Sequence, residues 1–298
     1  MKPAPFKYER ASSLPATLDL LKQHGYDAKL LAGGQSLIPA MNFRLAQPAV
    51  LIDINPLPEL NHIGITPDHG LTIGAMTRQR HIETSPHVAQ YAPLLAETMP
   101  YIAHPQIRNR GTLGGSLVHS DPAAELPVIA VTLDAKLHIH SHRGDRWVAA
   151  RDFFMGMFVV DLQPEEILTA VHFPAWPART GYAFTEVARR PGDYALVGAA
   201  ATLSLDHNGR CRAATLVYLN VGDGPMLAEH AAASLVNEIP TPKLIEDAAA
   251  LAASKEIDPV GNIHASIGYQ RHLAQVLGRR VLTQALTRAQ QASQGGSS

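Results

Sequence analysis

The chain of 298 residues is long enough for about two domains, each with a core that needs no disulfide. Hydrophobic residues make up 46% and charged residues 17% of it, which is an ordinary globular composition and excludes disorder throughout. The formal net charge of −1 provides no basic excess to attract a phosphate backbone, so nucleic acid is excluded as the main partner.

The amino-terminal residues 1–13 carry several charges and contain no apolar stretch of the kind found in secretory signal peptides. Further along the chain, no apolar run approaches the ~18 residues that a membrane helix requires. We therefore expect a cytoplasmic protein with no membrane span.

Short β-like segments alternate with helical ones in the first half of the chain. Residues 14–24 repeat leucine at helical spacing after two serines that could cap a helix, Ser12 and Ser13. Apolar runs predict strands at residues 29–31, 50–54, 71–73 and 135–140. This order is typical of an α+β or mixed α/β fold.

A proline-rich segment, residues 173–181, marks the best boundary between two domains. Beyond it, the Asn208-Gly209 pair lies between two strand-like runs, residues 195–205 and 210–220. An Asn-Gly pair in this setting is a strong signal for a β-hairpin.

Two helices and a tail are predicted after the hairpin. One helix covers residues 243–254, with Pro242 in its first turn, and the other covers residues 263–290, where apolar residues recur at helical spacing. The small polar residues 291–298 predict a disordered tail.

The first of two glycine-rich segments reads LLAGGQSL, residues 30–37, and follows a predicted strand. Glycines allow positive φ and close approach to a backbone, and free amides at such a turn can hold an anion such as phosphate. An ordinary strand-to-helix turn explains the same residues. The pattern is neither GxGxxG nor a GKS/GKT loop, so it does not support a Rossmann domain or an ATPase.

The second segment reads RGTLGGSLVHSDPAAELP, residues 110–127, and combines glycines, hydroxyl side chains and two carboxylates. Carboxylates accept hydrogen bonds from sugar hydroxyls, and Ser and Thr can donate or accept. A loop followed by a helix cap explains this segment alone equally well. Together, the two segments favour a dinucleotide, with pyrophosphate at the first and sugar hydroxyls at the second.

These two motifs resemble those of the FAD-binding medium subunits of molybdenum hydroxylases, the family of carbon monoxide dehydrogenase and xanthine dehydrogenase. Two further segments match the family in order. Residues 161–173 resemble the segment that closes the flavin domain, and EVARRPGDYALV, residues 186–197, resembles the opening of the next domain. The resemblance covers nearly the whole chain.

The resemblance implies an α+β fold in two parts. Residues 1–177 would form a two-lobed FAD-binding domain of the vanillyl-alcohol-oxidase (PCMH) type, split near residues 55–62. Residues 178–290 would form a smaller domain of the CO dehydrogenase flavoprotein type, with an antiparallel sheet and helices, and residues 291–298 the disordered tail.

The resemblance also implies that the first segment holds the pyrophosphate of FAD and the second lines the cofactor. Tyr194 matches the residue that covers the isoalloxazine ring in relatives, although an aromatic at a strand start is also common in packing. The expected cofactor-binding residues are Leu31, Ala32, Gly33, Gly34, Gln35, Ser36, Leu37, Ile102, Gly111, Thr112, Gly114, Ser116, Ser120, Asp121, Glu125, Leu168 and Tyr194. We expect no catalytic residue and no metal ligand in this chain.

The function implied is that of an oxidoreductase subunit that passes electrons from the [2Fe-2S] clusters of a small partner through FAD to an external acceptor. A large partner with a molybdenum–pterin cofactor would hydroxylate the substrate, in a dimer of heterotrimers. Carbon monoxide, a purine, nicotinate, nicotine or another N-heterocycle all fit as substrate, and oxygen, a quinone, a cytochrome or NAD as acceptor. Two alternatives stay open: a self-contained flavin oxidoreductase that binds its substrate at FAD, and a flavin-free scaffold.

Several residues outside these motifs also suggest chemistry. His138, His140 and His142 would share one face of a strand and could bind zinc or copper, but we interpret them as a polar row because no acidic or cysteine ligand is expected beside them. Arg108 and Arg110 are equally explained as phosphate anchors or as a surface pair. Met155 and Met157 are interpreted as packing residues. The single cysteine, Cys211, is expected to be buried and inert, and alone it cannot hold an iron–sulfur cluster.

Overall fold

The computed structural model describes residues 2–295 and contains three sheets, one two-stranded hairpin and twelve α-helices within that range. The strands are β1 Lys7–Arg10, β2 Ala28–Leu31, β3 Val50–Asp53, β4 Ile63–Ile65, β5 Leu71–Gly74, β6 Lys136–Ser141, β7 Gly144–Ala149, β8 Phe154–Gly156, β9 Val159–Val160, β10 Ile167–Phe173, β11 Thr180–Ala188, β12 Ala195–Leu205, β13 Cys211–Leu219 and β14 Met226–Leu227. The helices are α1 Leu14–His24, α2 Leu37–Asn42, α3 Gln79–Thr84, α4 Pro86–Tyr91, α5 Pro93–Thr98, α6 Pro105–Arg108, α7 Leu113–His119, α8 Glu125–Thr132, α9 Ala150–Phe153, α10 Glu229–Ala233, α11 Pro242–Lys255 and α12 Ile267–Gly295.

The first sheet is parallel and has the order β1-β3-β2. Helix α1 begins where Ser13 Oγ accepts a hydrogen bond from the Ala16 amide at 3.2 Å, as the two serines predicted. Its Leu18 and Leu21 join the strand residues Val50 and Ile52 in one core. The first glycine-rich segment therefore leaves the carboxyl end of a parallel strand.

The second sheet is antiparallel, with the order β4-β5-β10-β6-β7. One face packs on helices α4, α5, α7 and α8 through a large apolar core. The other face carries polar and aromatic side chains, among them Thr72, His138, Trp147 and His172. One face of this sheet is thus buried in the apolar core, and the other faces solvent.

The third sheet is antiparallel and has the order β11-β12-β13-β14. The predicted hairpin is confirmed: Gly209 has φ +77°, and Asp206 Oδ1 accepts hydrogen bonds from the amides of Asn208 and Arg210. One face of the sheet packs against α5 and α8, and the other against α11 and α12. Every residue of α8 is buried because the helix lies between two sheets.

A charged contact joins the last helix to the part of the chain that precedes the third sheet. Arg288 Nη1 lies 2.7 Å from Glu97 Oε2 and donates to the Tyr182 carbonyl at 2.7 Å. The guanidinium also lies over the Tyr182 ring, 4.5 Å from its centroid. Helix α12 is thereby fixed both to its own sheet and to α5.

The mixed helix and sheet architecture agrees with the predicted fold class. Helix α12 continues to Gly295, so residues 291–295 are helical where we expected disorder, while residues 296–298 of that predicted tail lie outside the described residues. Ala285 and Ala289, in the turns before this stretch, are both buried against the third sheet, and the helix continues beyond them. Within residues 2–295, no helix has the length and apolarity to cross a bilayer.

Close packing between β11 and α12 yields a test of this arrangement. A methyl group at Gly181 would overlap the Ala285 carbonyl oxygen and lie 2.5 Å from the Ala289 amide nitrogen. We expect Gly181→Ala to lower the free energy of unfolding by about 1–3 kcal/mol, since overpacking forces the helix away from the strand. In the control Gly268→Ala, the new methyl meets no atom within 4 Å, and stability should stay equal or rise by up to about 1 kcal/mol. Equal effects of the two substitutions in urea denaturation would contradict this packing.

Candidate functional site

The first glycine-rich segment forms one wall of a cleft with a volume of about 380 Å³. Gly34 has φ +72°, which turns the chain from β2 toward α2. The main-chain N–H groups of Gly34, Gln35 and Ser36 donate to no acceptor within residues 2–295. The cleft is lined by Leu31, Ala32, Gly33, Gly34, Gln35, Ile38, Pro39, Asn55 and Arg110. Free N–H groups around such a cleft suit an anion of the size of a pyrophosphate.

Two of the predicted glycines are required by the protein's own packing. A Cβ atom at Gly33 would lie 2.5 Å from the Arg110 carbonyl oxygen and 2.9 Å from Gly111 Cα. A Cβ atom at Gly114 would lie 2.6 Å from Ala75 Cβ. The two glycine-rich segments are therefore in direct contact, and the fit to an anion rests on the free N–H groups rather than on these glycines.

Asn55 lines the cleft and Arg78 is hydrogen-bonded to it, and sequence reasoning missed both. Asn55 Nδ2 donates to the carbonyls of Leu31 at 3.2 Å and Ala32 at 2.9 Å. Arg78 donates to Asn55 Oδ1 at 2.5 Å and, with its other terminal nitrogen, to the Arg110 carbonyl. Asn55 could have been found, because it follows β3, whose end pairs with the end of β2 in a parallel sheet.

Arg78 brings a permanent positive charge to this part of the molecule. Partial burial lowers the pKa of its guanidinium, and the neighbouring Arg110 lowers it further, but a guanidinium stays charged in proteins. Arg108 is not a phosphate anchor: it is 5% exposed, pairs through two nitrogens with Glu83 at 3.0 Å, and donates to the Ile102 carbonyl. Arg110, by contrast, is exposed and lines the cleft.

The second glycine-rich segment forms α7 and the turns at its two ends. Thr112 caps the helix by accepting from the Gly115 amide at 3.1 Å. At the other end Ser120 has φ +51°, and Asp121 Oδ1 accepts from the Ala123 amide at 2.9 Å. Seven helical residues span about 10 Å, so α7 separates the cleft from Asp121 by that distance. An elongated ligand can therefore lie along α7, from the cleft toward Asp121.

The remaining predicted residues lie at several places in the fold. Ser36 precedes α2 and Leu37 begins it, while Gly111 precedes the cap of α7 and Ser116 lies in the middle of that helix. Ile102 and Leu168 are both buried in the core behind the second sheet, so they support the site rather than form an exposed surface. Tyr194 immediately precedes β12, and its ring is 71% exposed.

Two interacting carboxyl groups have raised pKa values: that of Glu125, which is buried, and that of Glu186, which is half-buried. Burial raises the pKa of Glu125 to about 7, with a smaller contribution from Asp121. Burial and then the charge of Glu125 raise the pKa of Glu186 to about 8, and Glu186 Oε2 is buried without a hydrogen-bond partner in the described residues. Burial, Asp121 and Glu125 also raise the pKa of Tyr194. The structure therefore brings Asp121, Glu125 and Tyr194 together and adds Glu186 of β11, whose carboxyl group interacts with that of Glu125.

Three interpretations of residues outside the site have clear outcomes. Met155 and Met157 are not packing residues: they are 68% and 47% exposed, because the short β8–β9 hairpin lies on the surface. Cys211 is fully buried, and burial raises the pKa of its thiol to about 11, so the prediction of an inert thiol is confirmed. The interpretation of the three histidines as a polar row assumed that no acidic ligand lies beside them. That assumption is wrong, since Asp145 Oδ2 lies 2.6 Å from His138 Nε2.

Comparison with known proteins gives matches over both parts of the chain. The family model for the FAD binding domain in molybdopterin dehydrogenase matches residues 4–176, and that for the CO dehydrogenase flavoprotein C-terminal domain matches residues 182–285. The 6-hydroxypseudooxynicotine dehydrogenase complex subunit alpha of Paenarthrobacter nicotinovorans is 42% identical over 289 residues, covering 97% of each chain. The carbon monoxide dehydrogenase medium chain of Afipia carboxidovorans is 36% identical over 290 residues, covering 97% of this chain and 99% of its own. The solved structure of quinoline 2-oxidoreductase from Pseudomonas putida 86 superposes with a TM-score of 0.91 at 39% identity, covering 97% of this chain and 99% of that one.

The raised pKa values of Glu125 and Glu186 predict an unusual pH dependence of stability. The folded chain keeps a proton on Glu125 between about pH 4.5 and pH 7, and on Glu186 between about pH 4.5 and pH 8, where the unfolded chain has lost both. These groups therefore make the free energy of unfolding fall as pH rises, by up to about 1.4 kcal/mol per pH unit for each retained proton. Glu186→Gln should remove one such contribution, flattening the decline between pH 5 and pH 8.

Urea denaturation across this pH range measures the effect. Glu246→Gln is the matched control because Glu246 is exposed on α11, and it should leave the wild-type slope unchanged. A Glu186→Gln variant with the wild-type slope would contradict the assignment of a retained proton to Glu186.

Proposed function

This chain belongs to the family of FAD-binding subunits of molybdopterin dehydrogenases, and from that premise we propose that it is the FAD-binding, electron-transferring subunit of a molybdenum-containing hydroxylase or dehydrogenase complex. The observation that carries the proposal is the set of three free N–H groups at Gly34, Gln35 and Ser36, in the loop that forms one wall of the cleft. These donors and the charge of Arg110, which lines the cleft, are suited to the pyrophosphate of a dinucleotide.

The predicted cofactor-binding residues are retained as part of this proposal. Main-chain N–H groups of the first segment would hold the pyrophosphate, and residues from Gly111 to Glu125 would follow the cofactor along α7. Tyr194, exposed and close to Asp121 and Glu125, would cover the isoalloxazine ring. When bound, FAD supplies both one-electron and two-electron chemistry. This chain positions and shields it, and no side chain here has to act as an acid or base on the complex's substrate.

We propose the partners on the same basis. Relatives carry the names complex subunit alpha and medium chain, so they are parts of larger assemblies. The single cysteine of this chain cannot ligate an iron–sulfur cluster, which would therefore reside on a small partner with [2Fe-2S] clusters. A large partner would hold the molybdenum–pterin cofactor, and two such heterotrimers would form the cytoplasmic complex.

The proposed division of the chain follows the sheets. Residues 1–177 would form the FAD-binding domain of the PCMH type, split near residues 55–62 between the parallel and antiparallel sheets. Residues 178–290 would form the second domain. The two family-model matches end and begin at 176 and 182, on either side of this boundary.

The substrate of the complex is proposed to be chosen by the large partner. Relatives between 36% and 42% identical to this chain carry the names of enzymes for carbon monoxide and 6-hydroxypseudooxynicotine, and a superposable structure that of an enzyme for quinoline. Such unlike molecules share no chemistry that one conserved cleft could recognise. The cleft of this chain therefore fits the invariant part of the reaction, which is the flavin.

Changing the charge of the cleft tests the pyrophosphate site. Gln35→Glu places a carboxylate against the proposed anion, whereas Gln35→Met removes the same amide without adding charge. We expect the dissociation constant for FAD to rise at least about tenfold in Gln35→Glu relative to Gln35→Met, because like charges a few ångströms apart repel strongly. Flavin fluorescence titration measures both constants, and thermal unfolding of the flavin-free variants controls for folding. Equal affinities would contradict this position of the pyrophosphate.

Cofactor analysis of the purified complex tests the assignment as a subunit. We expect flavin, iron, sulfide and molybdenum in the complex, with flavin alone on this chain. Oxidation of an organic substrate by the FAD-loaded chain without partners would instead favour a self-contained flavin oxidoreductase. A folded chain that stays colourless with added FAD would indicate a scaffold.

A further inference from the structure

Two imidazoles and a carboxylate converge on the exposed face of the second sheet, outside the glycine-rich segments. The pairing of β6 with β7 places His140 directly opposite Asp145, and His138 lies two residues away on the same face. One ligand atom from each of these three residues lies within 4.8 Å of the other two. His142 is not part of the group, since its Nε2 contacts Asp19 at 3.1 Å.

The His138 ring contacts a hydroxyl on one side and a carboxylate on the other. Thr169 Oγ1 lies 3.0 Å from the His138 carbonyl oxygen and 3.2 Å from His138 Nδ1. His138 Nε2 lies 2.6 Å from Asp145 Oδ2, and a carboxylate oxygen only accepts hydrogen bonds. When the ring proton is on Nδ1, Nε2 and Asp145 Oδ2 are two acceptors that one cation can bridge.

The two imidazole rings are held in position by their neighbours. His138 stacks on Trp147 with 4.3 Å between ring centroids and 21° between planes. His140 meets the His138 ring edge-on at 4.7 Å. Thr169 holds the far nitrogen of His138, as the outer partner of a metal-binding histidine commonly does. Both rings are half-buried, so water and an ion can reach them.

We propose that His138, His140 and Asp145 bind one Zn²⁺ ion on the exposed face of the second sheet. Zinc takes imidazole nitrogen and carboxylate oxygen at about 2.0–2.2 Å in tetrahedral geometry, so its ligand atoms lie about 3.3 Å apart. Small side-chain rotations bring the three groups to that spacing. Three protein ligands leave the fourth position to water. The ion links β6 to β7 and stabilises the hairpin between them.

Zinc binding by the FAD-loaded full chain tests the site. Equilibrium dialysis against buffered micromolar free zinc, with the metal measured by mass spectrometry, should give one zinc per wild-type chain. His140→Gln and Asp145→Asn should each weaken binding at least about tenfold, and Thr169→Val about tenfold through the orientation of His138. His142→Gln is the matched control, because it removes an imidazole of the same hairpin outside the group, and it should bind zinc like wild type.

Thermal unfolding gives a second readout. Zinc should raise the Tm of wild type and of His142→Gln but not that of Asp145→Asn, since only the folded chain assembles the site. Equal FAD content in all variants confirms that they fold. The proposal is overturned if wild type binds less than one zinc under these conditions. It is equally overturned if Asp145→Asn binds zinc like wild type, or if His142→Gln loses as much affinity as His140→Gln.

Discussion

The Arg78 guanidinium connects the two halves of the candidate site. It donates to Asn55 Oδ1 on one side and to the Arg110 carbonyl on the other, while Asn55 donates to the carbonyls at the end of β2. These bonds fix the loop that leaves the parallel sheet against the loop that enters α7. The carbonyls of Leu31 and Ala32 are bound by Asn55, and the N–H groups of the following residues, Gly34 to Ser36, have no acceptor in the described residues. The proposed anion site thus depends on the hydrogen bonds that Asn55 and Arg78 make between the two loops.

The third sheet contributes the other end of the site. Its strand β11 carries Glu186 toward Glu125 at the start of α8, and Tyr194 precedes β12. Two carboxyl groups that hold protons near neutral pH are unusual in a folded chain and cost stability as pH rises. Their position beside the exposed Tyr194 ring relates them to the ligand site rather than to the core.

Several helices and turns of the fold could be predicted from the sequence, because residues close together in the chain determine them. The leucine spacing of α1, the Asn208-Gly209 turn and the helix behind Thr241 are set by residues close in the chain. The family resemblance read from two glycine motifs is confirmed by matches over residues 4–176 and 182–285. The roles of single glycines were less predictable: Gly33 and Gly114 meet other backbone segments, which only the tertiary structure reveals. Asp145 was overlooked beside the histidines because strand pairing, not sequence distance, brings it to His140.

A crystal structure of the FAD-loaded chain is the most direct measurement of the central claim. The account predicts pyrophosphate oxygens within about 2.7–3.2 Å of the main-chain nitrogens of Gly34, Gln35 and Ser36, with the rest of the cofactor extending along α7 toward Tyr194. Pyrophosphate bound elsewhere, with those nitrogens facing solvent or another part of the chain, would contradict it.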